Sequence, residues 1–212
     1  MSDPSLDTAH PPRLNAPAPG FAARATTGPV TLSAFRGRWL VFFSHPADFT
    51  PVCTSEFIAL ARAAPEFEAL DCALLGLSVD SLYAHIAWLR DIEARFGVKV
   101  AFPLVEDSAM VIARAYGMID EAAGSSATVR ATYVIDPAGI IRAIVWDPAH
   151  VGRSVDELLR LAAAEQAAER EEASTPEGWR PGDALLEPSP VAGGDEGTLR
   201  EGEAWYFREK RA

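Results

Sequence analysis

The feature that most restricts the fold is an alternation of short apolar runs with longer stretches of helical period. The runs "WLVFFS" (39–44), "CALLGLSV" (72–79) and "RATYVID" (130–136) are of strand length and bounded by polar or turn residues. "CALLGLSV" lies between Asp71 and Asp80 and reads as a strand buried on both faces. "RATYVID", a Pro-Ala-Gly turn and "IIRAIVW" read as a β-hairpin. Between the runs, residues 50 to about 64 read as one helix, and Leu82, Ile86, Leu89, Ile92 and Phe96 recur at helical spacing in a second, closed by Gly97. Strands alternating with helices give an α/β layer structure, and the hairpin makes its sheet mixed.

The remaining segments fit around this frame. "GPVTLSAFRG" reads as a turn, a short strand and a second turn at Arg36-Gly37. "VKVAFPLVED" is extended but interrupted by Pro103, which predicts an edge or a bend. Asp107 caps a short helix, "SAMVIARAY", ended by Gly117, and residues 120–128 read as loop. Ser154 and Glu157 form a capping box at the head of an Ala- and Glu-rich helix reaching about Ala173, a surface or interface helix. Residues 1–14 form a flexible arm and residues 15–173 the main domain. The Pro- and Gly-dense stretch from 174 to 212, with "WYF" as core or interface, forms an extension that lies over something else.

Several function classes drop out. A formal charge of −11 disfavours nucleic acid and anionic membrane surfaces as partners. No apolar stretch approaches membrane-spanning length, and the N-terminus lacks a signal-peptide pattern, so a cytoplasmic protein is expected. Two cysteines, Cys53 and Cys72, cannot build a disulfide framework. The histidines at 10, 45, 85 and 150 have no metal-ligand spacing, so neither metal nor cofactor is expected. "GLSVD" (76–80) lacks the second glycine of a nucleophile elbow and is not read as an esterase site.

What stands out chemically is "FFSHPADFTPVCTSEF" (42–57). If Thr50 is the N-cap and Pro51 the first helical residue, Cys53 is the third. Free backbone N–H groups and the helix dipole favour an anion there, and the Thr50 hydroxyl is near enough to hydrogen-bond it. Pro46 stiffens the loop and shields it from water. A buried, inert cysteine is the competing reading of Cys53. Cys72, inside an apolar strand, reads as buried filler, although it is the chain's only candidate resolving thiol. His45 is either a partner of Cys53 or a polar residue at a strand end. His85 falls between the apolar positions of its helix and reads as solvated. One activated thiolate without a dithiol partner suits attack on a peroxide oxygen to give a sulfenic acid. An arginine suits that reaction, but seventeen arginines leave the choice open.

"HPADFTPVCTSE" resembles the peroxiredoxin signature P-x-x-x-[ST]-x-x-C. His-Pro before it and Thr-x-Glu after it are similar to the one-cysteine, peroxiredoxin-6-type subfamily of the AhpC/TSA family. The likeness runs from Asn15 through "RATYVIDPAGIIR" and "VGRSVDELLRL" to "STPEGWRPGD".

The resemblance implies a thioredoxin-like fold, a mixed central sheet flanked by helices, with a C-terminal extension that serves a homodimer or higher oligomer. It implies an antioxidant thiol peroxidase for hydrogen peroxide and organic hydroperoxides, reduced by an external thiol, glutathione or a thioredoxin-like protein. It maps the peroxidatic cysteine onto Cys53, the site proline onto Pro46, the threonine onto Thr50 and the thiolate-binding arginine onto Arg130. His45, Glu56 and Arg153 fall on supporting positions. No Val-Cys-Pro resolving segment is present, nor the esterase-type motif of some relatives. A redox sensor or holdase oxidised at Cys53, and a binding module with an inert cysteine, are the alternatives. Rapid turnover separates an enzyme from the first, and the effect of Cys53→Ser from the second.

Overall fold

The computed structural model describes residues 11–122, 124–188, 204 and 206–210. The chain divides at Val155/Asp156 into two compact units. In the first, seven strands form one mixed sheet in the order β2-β1-β5-β4-β3-β6-β7. They are β1 (Ala22–Ala25), β2 (Gly28–Thr31), β3 (Trp39–Ser44), β4 (Cys72–Ser78), β5 (Leu104–Glu106), β6 (Arg130–Ile135) and β7 (Ile141–Asp147). β3, β4 and β5 run parallel, and the hairpin partner β6 joins β3 antiparallel. Every residue of β3 and β6 is buried, as continuous apolar runs at a sheet centre require.

Of the edge or bend expected around Pro103, the structure has the bend, at Phe102, while β5 itself is not an edge strand. It lies between β4 and β1, and Pro103 stands just before it, where the missing N–H costs no ladder bond. The Pro103 carbonyl still accepts from Gly76 N–H at 3.0 Å. Gly76 is tightly packed here: an added Cβ would lie 3.0 Å from the Leu104 side chain, which would have to shift by a few tenths of an ångström.

Helix α1 (Pro51–Ala69) starts where expected but runs past Ala64 and through Pro65. Phe57, Leu60, Ala63 and Phe67 form its buried stripe, and burying Phe67 outweighs one lost backbone bond. α2 (Leu82–Phe96) has the expected ends: the Ser81 side chain accepts from Ala84 N–H, and Gly97 closes it in the left-handed conformation. Its buried face is turned from the expected one. His85, Trp88 and Ile92 are buried, whereas Phe96 is exposed. Asp107 caps the short α3 (Val111–Ala115) by accepting from the N–H groups of Val111 and Ala113.

In the second unit, α4 (Val155–Glu171) is the long Ala- and Glu-rich helix. β8 (Leu185–Leu186) and β9 (Glu209–Lys210) pair antiparallel, and Trp179 Nε1 donates to the Asp183 carbonyl at 3.1 Å. Of the expected N-terminal arm only residues 11–14 are described, and residues 189–203, Trp205 and 211–212 of the extension lie outside the described residues. No helix among the described residues is long and apolar enough to cross a membrane.

Candidate active site

β3 ends at Ser44, and the loop His45–Thr50 carries the chain to the start of α1. The first backbone bond of α1 runs from Thr54 N–H to Thr50 C=O, 2.9 Å, so the N–H groups of Val52 and Cys53 have no partner within the helix. Cys53 is fully buried at this end. Pro51 takes the first helical position, as the sequence predicts. The Thr50 hydroxyl, expected to reach the sulfur, instead donates to the Ala47 carbonyl at 2.8 Å. It closes the loop rather than the Cys53 contact. Pro46 is half-buried in that loop.

Arg130, the first residue of β6, lies across the sulfur. Its Nη1 is 3.4 Å from Cys53 Sγ and donates to Glu56 Oε2 at 2.7 Å. Nε and Nη2 both donate to the Ala149 carbonyl, which fixes the guanidinium plane. Glu56, one helical turn beyond Cys53, is also held by Arg153. Arg153 donates from its backbone N–H and Nε to Oε1 at 2.7 and 3.0 Å, and from Nη2 to Oε2 at 2.8 Å. The Arg153 guanidinium lies 4.9 Å from the Phe43 ring centroid. Glu56, Arg130 and Arg153 are all buried. Two buried cations and one buried anion give this hydrogen-bonded group an excess of one positive charge, with Arg130 Nη1 the part of it that touches the sulfur.

Burial alone would push the Glu56 carboxyl up, but the hydrogen bonds and charge of Arg153, with the charge of Arg130, outweigh it and hold the group below its usual 4.5. A carboxylate depressed on folding adds stability that is complete above the unfolded value and is lost as the pH falls through the folded one. Glu56→Gln is therefore expected to lower neutral-pH stability by about 3–5 kcal/mol. The gap between wild type and variant should narrow as the pH falls below 4.5. Urea unfolding at pH 7 and pH 4 measures both.

His45 is buried and makes no hydrogen bond to Cys53. Its ring stacks on Trp88 and meets Phe57 edge-on at 4.8 Å, while Nε2 is 2.8 Å from Asp48 Oδ1. His85 corrects the expectation of a solvated residue. It is fully buried, with Nδ1 2.7 Å from Asp48 Oδ2 and Nε2 3.2 Å from the Val105 carbonyl. The missed signal was the i, i+3, i+7 spacing of His85, Trp88 and Ile92, which is as helical as the aliphatic set. Asp48 was missed altogether, because a loop aspartate has no periodicity to reveal burial. Burial would raise its carboxyl, but hydrogen bonds from His45 and His85 outweigh that and hold it low.

Among the described residues, His45, Asp48 and Asp80 bring candidate metal-binding atoms within 4.8 Å of one another. Those atoms already satisfy each other. Both Asp48 oxygens face imidazoles, and Asp80 Oδ2 accepts from Asp48 N–H and the Ser78 hydroxyl. These bonds tie the three residues into one hydrogen-bond network, in which His45 Nδ1 lacks a partner.

Cys72 sits at the start of β4, buried as expected, and burial pushes its thiol up to about 12. In the parallel β3–β4 pair it faces Trp39, five residues from the end of β3 that leads to Cys53. At about 3.3 Å per residue the two cysteines lie on the order of 15 Å apart or more, whereas a disulfide needs Cα atoms within about 7 Å. In native protein at pH 8, Cys72 is expected to resist iodoacetamide and to react only after unfolding, read by peptide mapping.

The AhpC/TSA family model matches residues 14–144, which contain Cys53, Glu56 and Arg130. Peroxiredoxin 2 of Thermoplasma acidophilum is 45% identical over 195 residues, covering 90% of this chain and 96% of that protein. The chain belongs to the AhpC/TSA family, the peroxiredoxins. This peroxiredoxin is thus a thiol-dependent peroxidase, an oxidoreductase with the thioredoxin-like fold. Among solved structures it is similar to a yeast mitochondrial 1-Cys peroxiredoxin, with 37% identity, a TM-score of 0.84, and coverage of 95% of this chain and 100% of that one. It is also similar to the peroxiredoxin 6 of Arenicola marina, with 28% identity, a TM-score of 0.82, and coverage of 94% and 98%.

Proposed function

We propose that this peroxiredoxin reduces hydrogen peroxide and organic hydroperoxides through Cys53 alone, by a one-cysteine cycle. The observation that carries the reading is the excess positive charge beside Cys53: Arg130 Nη1 lies 3.4 Å from the sulfur, in a buried network with one cation in excess. The Cys53 thiolate attacks the terminal peroxide oxygen. An S–O bond forms, the O–O bond breaks, and the leaving oxygen takes a proton to depart as water or alcohol. Arg130 and the free N–H groups of the helix start stabilise the charge as it moves from sulfur to oxygen. Glu56 and Arg153 hold Arg130 in place, while Thr50 and Pro46 hold the loop.

The sulfenic acid then needs a thiol from outside the chain, because Cys72 is remote and buried. Two equivalents of thiol return Cys53 and yield a disulfide and water. The related yeast mitochondrial enzyme uses glutathione/thioredoxin systems for its thiol resolving mechanism, and we assign the same reductant classes here. In this reading residues 15–173 form the peroxidase domain and 174–212 an extension serving a homodimer. The sheet edge supports a dimer: among the described residues β7 has one strand neighbour, and Trp146 on it is half-exposed.

The test is peptide mapping after one equivalent of hydrogen peroxide without reductant. One oxygen on the Cys53 peptide, trappable as a sulfenic acid, is expected. An internal Cys53–Cys72 disulfide would overturn the one-cysteine cycle, and an untouched Cys53 would overturn its role.

A further inference from the structure

The carbonyl that fixes the Arg130 guanidinium belongs to a surface turn. In the β6–β7 hairpin Arg130 pairs with Asp147, the last residue of β7. The chain then reverses at once. Val151 N–H donates to the Pro148 carbonyl at 3.0 Å, so residues 148–151 form a hydrogen-bonded β-turn with Ala149 and His150 at its centre. Just beyond it, Arg153 is held by the Glu56 carboxylate through its backbone N–H, Nε and Nη2. The turn is thus pinned at both ends to neighbours of Arg130, and its central carbonyl, that of Ala149, takes Arg130 Nε and Nη2 at 3.1 and 2.8 Å.

Those two bonds occupy one edge of the guanidinium and leave Nη1 facing Glu56 Oε2 and Cys53 Sγ. Because the guanidinium is planar and rigid, the direction of the Ala149 carbonyl sets where Nη1 points. In a β-turn that direction is decided at one peptide. Type I and type II turns share their ends and their closing hydrogen bond. Between them, ψ of the second residue goes from about −30° to about +120°, and φ of the third from about −90° to about +80°. The central peptide turns over, and its C=O leaves for the opposite face.

Neither Ala149 nor His150 has a positive φ, so this turn is type I. The flipped form would need a positive φ at His150, which a residue with a β-carbon resists and glycine does not. The side chains of Ala149 and His150 are both exposed. Neither packs the turn into place, and what residue 150 contributes is its backbone preference.

We propose that His150 is a positioning residue of the peroxidatic site: its β-carbon excludes the flipped turn, which keeps the Ala149 carbonyl on Arg130 and Arg130 Nη1 on the sulfur. The proposal rests on the reading of Arg130 as the group that stabilises charge beside Cys53.

The test lets residue 150 choose the turn. Proline suits position 149 in either type, so Ala149→Pro is a neutral background for the comparison. With His150→Gly added, Pro-Gly favours the flipped turn, and the single-turnover rate with hydrogen peroxide is expected to fall about tenfold or more. With His150→Ala added instead, the β-carbon returns and most of the rate should return with it, although the imidazole is still missing. The Arg130 Nε–H signal in nitrogen-15 spectra should be protected from exchange with water in the His150→Ala form and lose that protection in the His150→Gly form. In an Arg130→Met background the glycine should cost nothing further, because the turn acts through Arg130.

The single variants His150→Gly and His150→Ala repeat the comparison without the proline, with a smaller gap, and circular dichroism checks that each variant is folded. A wild-type peroxide rate in the folded Pro-Gly protein overturns the proposal. So does an equal loss with glycine and alanine at 150, or a glycine effect that persists without Arg130, since a general loosening of the fold would not need that side chain. Arg130→Met reacting at the wild-type rate would instead show that the underlying reading of Arg130 has failed, and the proposal with it.

Discussion

Cys53→Ser is expected to abolish peroxide reduction, a loss of about a thousandfold or more, because a serine hydroxyl is not ionised at neutral pH and is a poor nucleophile toward peroxide oxygen. The fold should survive. Serine is nearly isosteric with cysteine, and the Arg130–Glu56–Arg153 network does not depend on the sulfur for its own hydrogen bonds. Removing the sulfur deprives Arg130 Nη1 of its neighbour at 3.4 Å, so a modest fall in stability should accompany the loss of activity. Cys72→Ser tests the other thiol, and its peroxide turnover should stay near wild type, with destabilisation from placing a hydroxyl in an apolar strand. Peroxide consumption coupled to an external thiol, with circular dichroism as the control for folding, reads all of these. Full activity in Cys53→Ser would refute the assignment of the site.

The second large effect is at Arg130. Arg130→Met fills much of the same volume but removes the cation at 3.4 Å from the sulfur, so charge moving from sulfur to peroxide oxygen loses its main stabilising group. Loss of one such buried donor costs about 10²–10³ in rate. Glu56 remains paired with Arg153 by three hydrogen bonds, so the variant should fold, though the Ala149 carbonyl loses both its donors. Arg130→Lys separates charge from geometry. One ammonium cannot serve the sulfur, Glu56 and Ala149 together, so a small fraction of the rate should return. Stopped-flow kinetics on reduced protein gives the rates. A Lys variant at full wild-type speed would mean that charge alone is needed and that the planar fork is dispensable.

The Glu56 and Cys72 expectations follow from the same electrostatics seen from two sides. Burial opposes charge at both residues. At Glu56 two arginines outweigh it, whereas at Cys72 desolvation is the dominant influence and the thiol stays protonated. Two buried cysteines in one chain therefore have different surroundings: Cys53 on α1 meets the Arg130 guanidinium at 3.4 Å, whereas Cys72 in β4 is governed by burial.

Much of this was legible in the residues themselves. The apolar runs at 39–44, 72–78 and 130–135 are strands because continuous β-prone runs of that length fit a sheet centre. Thr50-Pro51 sets the start of α1, and thus places Cys53 among unpaired N–H groups, by rules that act within a few residues. Tertiary structure decided the rest. It brought Arg130 and Arg153 onto Glu56 from positions 74 and 97 residues away, a meeting that no local pattern encodes. It placed β5 inside the sheet, carried α1 through Pro65 to bury Phe67, and turned α2 so that His85 faced inward. Backbone preference and periodicity act over one or two turns of chain. Burial, and the charge state that follows from it, is set by what arrives from elsewhere.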